Sequence, residues 1–498
     1  MCGANEMARA PSRPGRVARR GAGIGLCVML GACAVGPNFK PPAPPQVSHY
    51  ASGEDPQRTV AAAGVAQHFT SGAAVSANWW KLFKSPKLDA LVEEALARNP
   101  GLAAAQASLR ASQDSLRSGY GIFYPQAAAD ARASRQRYAP VALGQSAPPS
   151  IFNLFTLSAS ASYALDVFGG ERRAVEGLSA QVDFQRATVE ATYLMLVANV
   201  VNAVIAKAAY GAEIEATQQL IGLQRQQVQL AQVQYESGTA AYSNVLSLKT
   251  QLATYEASIP QLEQKLAQSD DLIASLLGYV PAQWTTPKIG FEDLSLPGDL
   301  PVSVPSDLVR QRPDILMAQA SAHAASAQVG VATAAMLPGI TLTGSYSANS
   351  IRTSELFAAN GRAWSFGADL TAPIFEGGSL YFKRKAAVED FTQAMALYRQ
   401  TVLAAFAQVA DTLRALDHDA LALGAEEEAL RSAQQALHLV QTNYEAGLAT
   451  YLDVLNADAQ YREALINEVQ AAALRYQDTV ALFMALGGGW WNGTGAPH

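Results

Sequence analysis

Residues 155–165 read FTLSASASYAL, a regular alternation of apolar and small polar side chains. Successive side chains of an extended strand point to opposite faces, so the aromatic and aliphatic residues share one face and the hydroxyl groups the other. About ten such residues let a tilted strand cross a bilayer with lipid on one face and water on the other. An edge strand of a soluble sandwich has the same pattern, so the rest of the chain must decide.

The same alternation recurs in three further segments and predicts two hairpins, at 124–166 and 338–375. The loop 139–150 of the first hairpin holds three prolines and is predicted to be exposed. The apolar positions outside the opening stretch are Ala127, Ala129, Ala131, Ala133, Ile340, Leu342, Tyr346, Ala348, Trp364, Phe366, Ala368 and Leu370. Four amphipathic strands favour a membrane sheet over a soluble sandwich.

The chain contains two copies of one plan. The motif Tyr235-Glu-Ser-Gly238 recurs as Tyr444-Glu-Ala-Gly447, and Leu277-Gly278 recurs at the same offset as Leu486-Gly487. Each copy is predicted to run helix, hairpin, long helix, return helix. The first repeat is placed at 88–300 (long helix 170–236, return helix 243–279) and the second at 301–490 (long helix 378–445, return helix 450–486), with a tail at 491–498.

The long helices contain no proline and would each span roughly 100 Å at 1.5 Å per residue. Leucine and valine recur every seven residues along the second, as in Val409, Leu416 and Leu423, which predicts coiled-coil packing. Pro260 is predicted to bend the first return helix or interrupt its hydrogen-bond ladder.

The N-terminus is predicted to be an export signal. Five arginines precede the short apolar run 21–31, which ends in Leu30-Gly-Ala-Cys33 and resembles the lipobox of bacterial lipoproteins. Residues 1–32 would then be removed and Cys33 acylated, and Ala34 rather than Asp after it indicates the outer membrane. Translation could start at Met1 or Met7. Residues 33–87 are predicted to be a tether, proline-rich over 36–45, followed by an equatorial segment.

Composition excludes several classes of protein. The formal net charge of -6 argues against a nucleic-acid partner. Beyond the signal no run of 18 apolar residues occurs, so no membrane-spanning helix is predicted in the mature chain. The other cysteines, Cys2 and Cys27, lie inside the removed segment, so no disulfide is expected.

No motif indicates catalysis, a metal site or a cofactor. The six histidines show no paired ligand spacing, and no P-loop occurs in the expected mature chain. His418, between Asp417 and Asp419, is interpreted as part of a solvated helix face. The chain is therefore predicted not to be an enzyme.

Four strands cannot close a membrane barrel, since single-chain barrels need about eight, and an open edge cannot remain in lipid. Several chains must share one barrel. Two chains would give eight strands and a filled interior, whereas three would give twelve and a lumen that suits the small polar inner face. A homotrimer is predicted.

Several segments together resemble the TolC-like outer-membrane efflux family, and within it the lipidated branch represented by OprM and NodT. The resemblance covers residues 33–490 and is carried by Trp79-Trp80, the run VPSDLVRQRPDI at 304–315, the two Tyr-Glu-x-Gly motifs, Cys33-Ala-Val-Gly-Pro37 and Leu486-Gly-Gly-Gly-Trp490.

The resemblance implies a mainly α fold with a membrane β-barrel portion: four strands per chain in a twelve-stranded trimeric barrel, a coiled-coil α-barrel tunnel, and a mixed equatorial region. It implies the exit duct of a tripartite efflux system, which exports drugs or other small toxic compounds through a periplasmic adaptor (membrane fusion) protein and an inner-membrane pump of the resistance-nodulation-division (RND) type. The exit channel of a type I protein-secretion system shares this architecture and is the alternative. A periplasmic coiled-coil scaffold would lack the paired strands.

Two turns are predicted between the long and return helices, at Gly238-Thr239 and Gly447-Leu448, where glycine permits a tight reversal. The resemblance implies that these turns contact the adaptor.

The resemblance also places a constriction just beyond the second turn, at Leu452, Asp453 and Asn456. The family often has aspartate at the position of Asn456, and three carboxylates in a ring would attract cations where three amides would not. Asp453 or Asp458 could supply the ring instead.

Overall fold

The computed structural model describes residues 34–492 except residues 52, 54, 74, 140–143, 145 and 147. The predicted signal peptide, Cys33 and most of the tail 491–498 therefore lie outside the described residues. The strands are β1 (His68–Ser71), β2 (Gln126–Tyr138), β3 (Ser150–Leu165), β4 (Asp299–Val302), β5 (Gly339–Ser350) and β6 (Arg362–Thr371). The helices are α1 (Pro86–Arg98), α2 (Pro100–Gly119), α3 (Gly170–Glu236), α4 (Tyr242–Leu276), α5 (Pro305–Gln311), α6 (Pro313–Ala334), α7 (Ser379–Glu445) and α8 (Tyr451–Ala485).

The helix predicted to open the first repeat, between residue 88 and the first hairpin, is divided into α1 and α2. Asn99 between them has extended backbone angles, φ -60° and ψ 121°, because the proline that follows disfavours a helical conformation. Its side chain then begins α2: Asn99 Oδ1 accepts a hydrogen bond from the Leu102 amide at 3.0 Å. Arg312, before Pro313, separates α5 from α6 in the same way, with ψ at 125°.

The two long helices are each continuous over 67 residues. The heptad positions Val409, Leu416 and Leu423 are 0, 0 and 1% exposed, so this part of the predicted seam is confirmed. Near the C-terminal end of α7 the heptad positions are no longer buried, and Tyr444 is 46% exposed. Pro260 does not end α4, which continues through it to Leu276.

One helix among the described residues, α3, is long and apolar enough to cross a membrane by composition alone. Half of its apolar window, with a mean hydropathy of 1.6, is buried inside the protein. This is the behaviour of a core helix, because a helix buried on most sides must be apolar around most of its circumference.

The two sequence repeats are not the two compact units of the structure. Among the described residues, one unit comprises 34–40, 114–180 and 322–393, and the other comprises 41–113, 181–321 and 394–492. Each unit therefore contains parts of both repeats. The reason in the first unit is the sheet β2-β3-β5-β6, which joins the hairpins of both repeats.

The second unit has a mixed core. β1 and β4 pair in parallel, and the 3₁₀ turn Trp79–Phe83 buries three aromatic rings beside them. Trp79 stacks on Phe483 of α8 with ring centroids 5.0 Å apart. Aromatic rings of this size bury much apolar surface, so they hold the predicted equatorial segment to the helices.

Candidate channel site

The register of the four-stranded sheet places most apolar residues of the middle part of each strand on one face. Across it, Ala129 pairs with Ala159, Ala159 with Tyr346, and Tyr346 with Trp364. Residues opposite each other in a ladder share a face, so one row of apolar side chains crosses the sheet. Trp364 and Phe366 on this face are 79 and 76% exposed within one chain. Large apolar side chains that are exposed within one chain are expected on a face that contacts lipid.

The opposite face carries hydroxyl, amide and charged groups. Ser160 pairs with Ser345, and Ser345 with Ser365, whose hydroxyl oxygens lie 2.8 Å apart. Thr156 donates to Asn349 Oδ1 at 2.9 Å. The predicted division into an apolar and a polar face is therefore confirmed along the middle of all four strands. At the loop ends of the strands the division breaks down, with charged residues on the apolar face (Arg135, Arg137, Arg362) and apolar residues on the polar face (Phe152, Leu154).

Both edges of this sheet are open within the described part of the chain. The strand order is β2-β3-β5-β6, so β2 and β6 each pair on one side only. The 13 residues of β2 and the 10 of β6 present unpaired amide and carbonyl groups. Such groups need partner strands in a bilayer, where no water is available to bond them.

The helix pairs reverse direction at two turns of the same conformation. Gly238 and Gly447 have φ of 76° and 74°, a region that disfavours residues with a Cβ. The Thr239 amide donates to the Gln234 carbonyl at 2.9 Å, and the Leu448 amide donates to the Asn443 carbonyl at 2.7 Å. These bonds satisfy the last carbonyls of each helix. Leu448 is 79% exposed and so leaves an apolar side chain at the second turn.

A pair of tyrosines flanks each turn. Tyr235 and Tyr242 have ring centroids 5.0 Å apart, and Tyr444 and Tyr451 have centroids 5.7 Å apart. The second pair differs in one contact: the Tyr451 hydroxyl donates to Gln226 Oε1 at 2.7 Å. This bond ties the first residue of α8 to α3, and the repeat pattern alone did not reveal it.

Asp453 caps its own helix. Its carboxylate accepts from the Thr450 amide at 2.8 Å and from the Thr450 hydroxyl at 2.7 Å. The Asp453 amide donates back to Thr450 Oγ1 at 3.3 Å, which completes a capping box. These bonds to Thr450 hold the pKa of Asp453 below its usual value. The side chain is therefore ionised and is fixed at the start of α8.

The other predicted constriction residues lie on the first turns of α8. Leu452 is half-buried, and Asn456 is exposed. Asp458 forms an ion pair with Arg462, with Oδ1 and Nε 3.3 Å apart. The positive charge of Arg462 offsets the charge of Asp458. Asp453, whose partner Thr450 is uncharged, is therefore the better candidate for a carboxylate ring.

A belt of polar side chains links α3, α4 and α8 further along. Lys207 on α3 contacts Asp270 on α4 at 2.5 Å, and Gln470 on α8 donates to Glu213 on α3 at 3.1 Å. Tyr255 on α4 donates to Glu463 on α8. These pairs come from distant parts of the sequence, so only the fold brings them together.

An acidic pair lies where α7 meets α8. Burial, followed by a hydrogen bond to Asp478, raises the pKa of Asp419 to about 7. Next to the pair, the fully buried Arg475 donates to Gln67 Oε1 at 3.1 Å and to the Ala62 carbonyl at 3.0 Å. His418 is exposed, as its interpretation as part of a solvated helix face expects, whereas the neighbouring Asp419 is half-buried and contacts Asp478 of α8.

Among the described residues, no group of three or more His, Cys, Asp or Glu side chains is arranged to hold a metal ion.

Comparison with known proteins agrees with this architecture. The family model described as outer membrane efflux protein matches the chain twice, over residues 91–279 and 304–488. The pyoverdine export outer membrane protein OpmQ of Pseudomonas aeruginosa is 30% identical over 94% of this chain and 96% of its own length. The outer membrane protein OprJ of the same organism is 31% identical over 94% of this chain and 95% of its own length.

Solved structures show the same fold. The outer-membrane channel OprN superimposes with a TM-score of 0.80 at 27% identity and covers 92% of this chain and 100% of its own. The outer membrane protein VceC of Vibrio cholerae has a TM-score of 0.74 at 27% identity, over 84% of this chain and 100% of its own. The chain has the TolC-like fold and belongs to the outer membrane efflux protein family.

Proposed function

We propose that three copies of this chain form the outer-membrane exit duct of a tripartite, RND-type efflux system. The observation that carries the proposal is the sheet: along the middle of its strands one face is apolar and the other hydrophilic, and within the described residues both of its edges are unpaired. Three such sheets close a twelve-stranded barrel that is wide enough for a lumen. The serine and threonine hydroxyl groups then line water, and the aromatic residues meet lipid.

The cargo is a class of small toxic compounds, including drugs. Relatives of the chain include a toluene efflux pump outer membrane protein and an antibiotic efflux pump outer membrane protein, both from Pseudomonas putida. A bore lined mainly by small hydroxyl groups discriminates weakly between such compounds. Selection of the substrate therefore rests with the inner-membrane pump, which also supplies the energy.

The partners meet the channel at the turns. Gly238, Thr239, Gly447 and Leu448 form the surface that a periplasmic adaptor contacts, and the adaptor joins the duct to the pump. The exposed Leu448 supports this role, because an exposed apolar side chain gains free energy when a partner covers it. Leu452, Asp453 and Asn456 line the constriction, and Asp453 supplies the carboxylate.

Two further features belong to the proposal. The chain arose from two copies of one repeat, 88–300 and 301–490, whose elements now contribute to both compact units. Cys33 carries the lipid anchor on the outer membrane, after removal of residues 1–32.

Complementation of a deletion strain tests the assignment. Wild-type protein is expected to restore resistance to drugs, dyes or solvents, and Leu448→Asp is expected to fail at an equal level in the outer membrane. Tyr235→Phe, which keeps the ring pair at the first turn, is the control and is expected to complement. The absence of a phenotype for every compound class would refute the efflux assignment. Native mass spectrometry tests the assembly separately, where a stable monomer or dimer would contradict three-chain closure.

A further inference from the structure

The segment that follows Cys33 is bound to the protein rather than free. Residues 36–45 are rich in proline, which predicted an extended tether, yet the Val35 amide donates to the Phe168 carbonyl at 2.9 Å. Phe168 lies between the end of β3 and the start of α3. Ala34 packs against Gly169, where a Cβ would come within 2.6 Å of the Ala34 Cα. The first described residues are thus fixed at the junction between a strand and a long helix.

Arg173 makes most of the polar contacts to this segment. Its side chain is 5% exposed, and it donates to the Val35 carbonyl at 3.2 Å, to the Gly36 carbonyl at 3.4 Å and to Asn38 Oδ1 at 2.6 Å. Glu176, one turn further along α3, lies 2.6 Å from the guanidinium group. Burying an arginine costs free energy unless its N–H groups are hydrogen-bonded. The segment supplies acceptors for the N–H groups of Arg173 that Glu176 does not bond.

The backbones of the segment and of α6 touch through two glycines. A Cβ on Gly36 would lie 2.5 Å from the Gly330 Cα, and Gly36 has φ of 95°. A Cβ on Gly330 would lie 2.6 Å from Arg173 Cγ and 3.0 Å from the Val35 carbonyl oxygen. A glycine inside a helix lowers the stability of the helix relative to alanine. Close approach of the segment offsets that cost.

An aromatic contact ends the bound segment. Phe39 stacks on His323 of α6, with ring centroids 4.7 Å apart and an interplanar angle of 14°. His323 Nε2 lies 2.9 Å from Glu176 Oε1, so the same carboxylate contacts both Arg173 and His323. The contacts of residues 34–39 therefore form one connected site.

We propose that Arg173, Glu176, His323 and Gly330 form a binding site, the N-terminal dock, that holds residues 34–39 and so delivers the lipid of the acylated N-terminus to the base of the barrel strands. This inference rests on the lipid anchor and barrel of the proposed function. Docking fixes the lipid attachment point beside β3. In a free, extended segment of this composition, the distance of that point from the protein could increase by roughly 3 Å for each unbound residue. The lipid anchor and the strands then enter the same patch of membrane. Insertion of one therefore raises the effective concentration of the other at the bilayer surface.

The binding of the segment is tested by hydrogen exchange of the full acylated trimer in lipid nanodiscs. The Val35 amide, which donates to the Phe168 carbonyl, is expected to exchange at least tenfold more slowly than in a free peptide of the same sequence. Gly36→Ala and Gly330→Ala are expected to remove that protection. Lys40→Ala changes the next, exposed residue and is expected to retain it. Exchange of the wild-type segment at the free-peptide rate would refute the dock.

Coupling to the lipid is tested by a double-mutant cycle with Cys33→Ser, read as the fraction of newly made chains that reach the outer membrane as trimers. In acylated chains, Gly330→Ala and Asn38→Ala are expected to lower that fraction several-fold. In the Cys33→Ser background they are expected to add nothing, because no lipid remains to be positioned. Equal losses in both backgrounds would show a purely structural role and overturn the proposal. Mass spectrometry of the N-terminus establishes acylation, and drug susceptibility of the Lys40→Ala control reports the channel function independently.

Discussion

Tyr451 and Gln226 join the two helix pairs near their turns through one hydrogen bond of 2.7 Å, from the tyrosine hydroxyl to the amide oxygen. Gln226 belongs to the first repeat and Tyr451 to the second. Any movement of α8 away from α3 at this end must break the bond.

Removal of that hydroxyl is predicted to favour opening. A net hydrogen bond stabilises by about 1 kcal/mol, so Tyr451→Phe should shift the closed-to-open equilibrium by roughly fivefold. Recordings in planar bilayers are expected to show more frequent conducting events. Tyr242→Phe is the matched control, because Tyr242 holds the same place in the first repeat and its ring also contacts a neighbouring tyrosine ring, with centroids 5.0 Å apart. If both variants open equally often, the change in opening comes from the loss of a tyrosine hydroxyl at either turn and not from the Tyr451–Gln226 hydrogen bond.

A second prediction separates the charge of Asp453 from its capping role. Asp453→Asn removes the carboxylate, whereas Thr450→Val removes one capping partner and leaves the carboxylate in place. If Asp453 lines the constriction, only Asp453→Asn should lower the preference of the channel for cations over anions, measured as a reversal potential in a salt gradient. If neither variant changes the ion selectivity, Asp453 does not line the pore.

The two faces of β3 allow a third prediction with neighbouring residues. Ala159→Arg places a charge on the apolar face, which costs about 2–4 kcal/mol at the middle of a bilayer. We expect it to reduce the yield of folded trimer in the outer membrane. Ser160→Arg, on the polar face, should assemble normally and shift ion selectivity towards anions. Western blots of heated and unheated membranes give the trimer yield, and normal assembly of the first variant would contradict the lipid-facing orientation.

Asp419 predicts how stability depends on pH. Burial beside Asp478 raises its pKa to about 7, from 3.8 in the unfolded chain. Between these values the folded protein holds the proton that the unfolded chain has lost, so this carboxyl group lowers the free energy of unfolding as the pH rises. Asp419→Asn keeps a neutral side chain throughout. Its advantage over wild type should grow from pH 5 to pH 8, to roughly 1–3 kcal/mol.

Thermal unfolding of the detergent-solubilised protein across that range gives the measurement. Asp417→Asn on the same helix is the control and should leave the pH profile of wild type unchanged. A difference between Asp419→Asn and wild type that stays constant with pH would show that Asp419 carries its charge in the folded state.

Local rules were enough for the main elements. Alternation in a strand depends only on neighbouring residues, so the FTLSASASYAL stretch and its three counterparts predicted the strands and their faces, which the register confirms. Seven-residue periodicity likewise predicted the long helices. The division between α1 and α2 was missed although its cause, Asn99 before Pro100, is local.

Tertiary structure alone decided which distant side chains meet. Nothing in the sequence near Asp419 reveals Asp478, and nothing near Tyr451 reveals Gln226, because these partners are set by how the helices pack. The proline-rich N-terminal segment gave the sharpest difference. Its composition predicted an extended tether and gave no partner for it, whereas in the structure a buried arginine, two facing glycines and a stacked ring hold residues 34–39 beside β3. Composition describes what a segment prefers when it is alone, whereas the contacts that a folded surface offers decide where it binds.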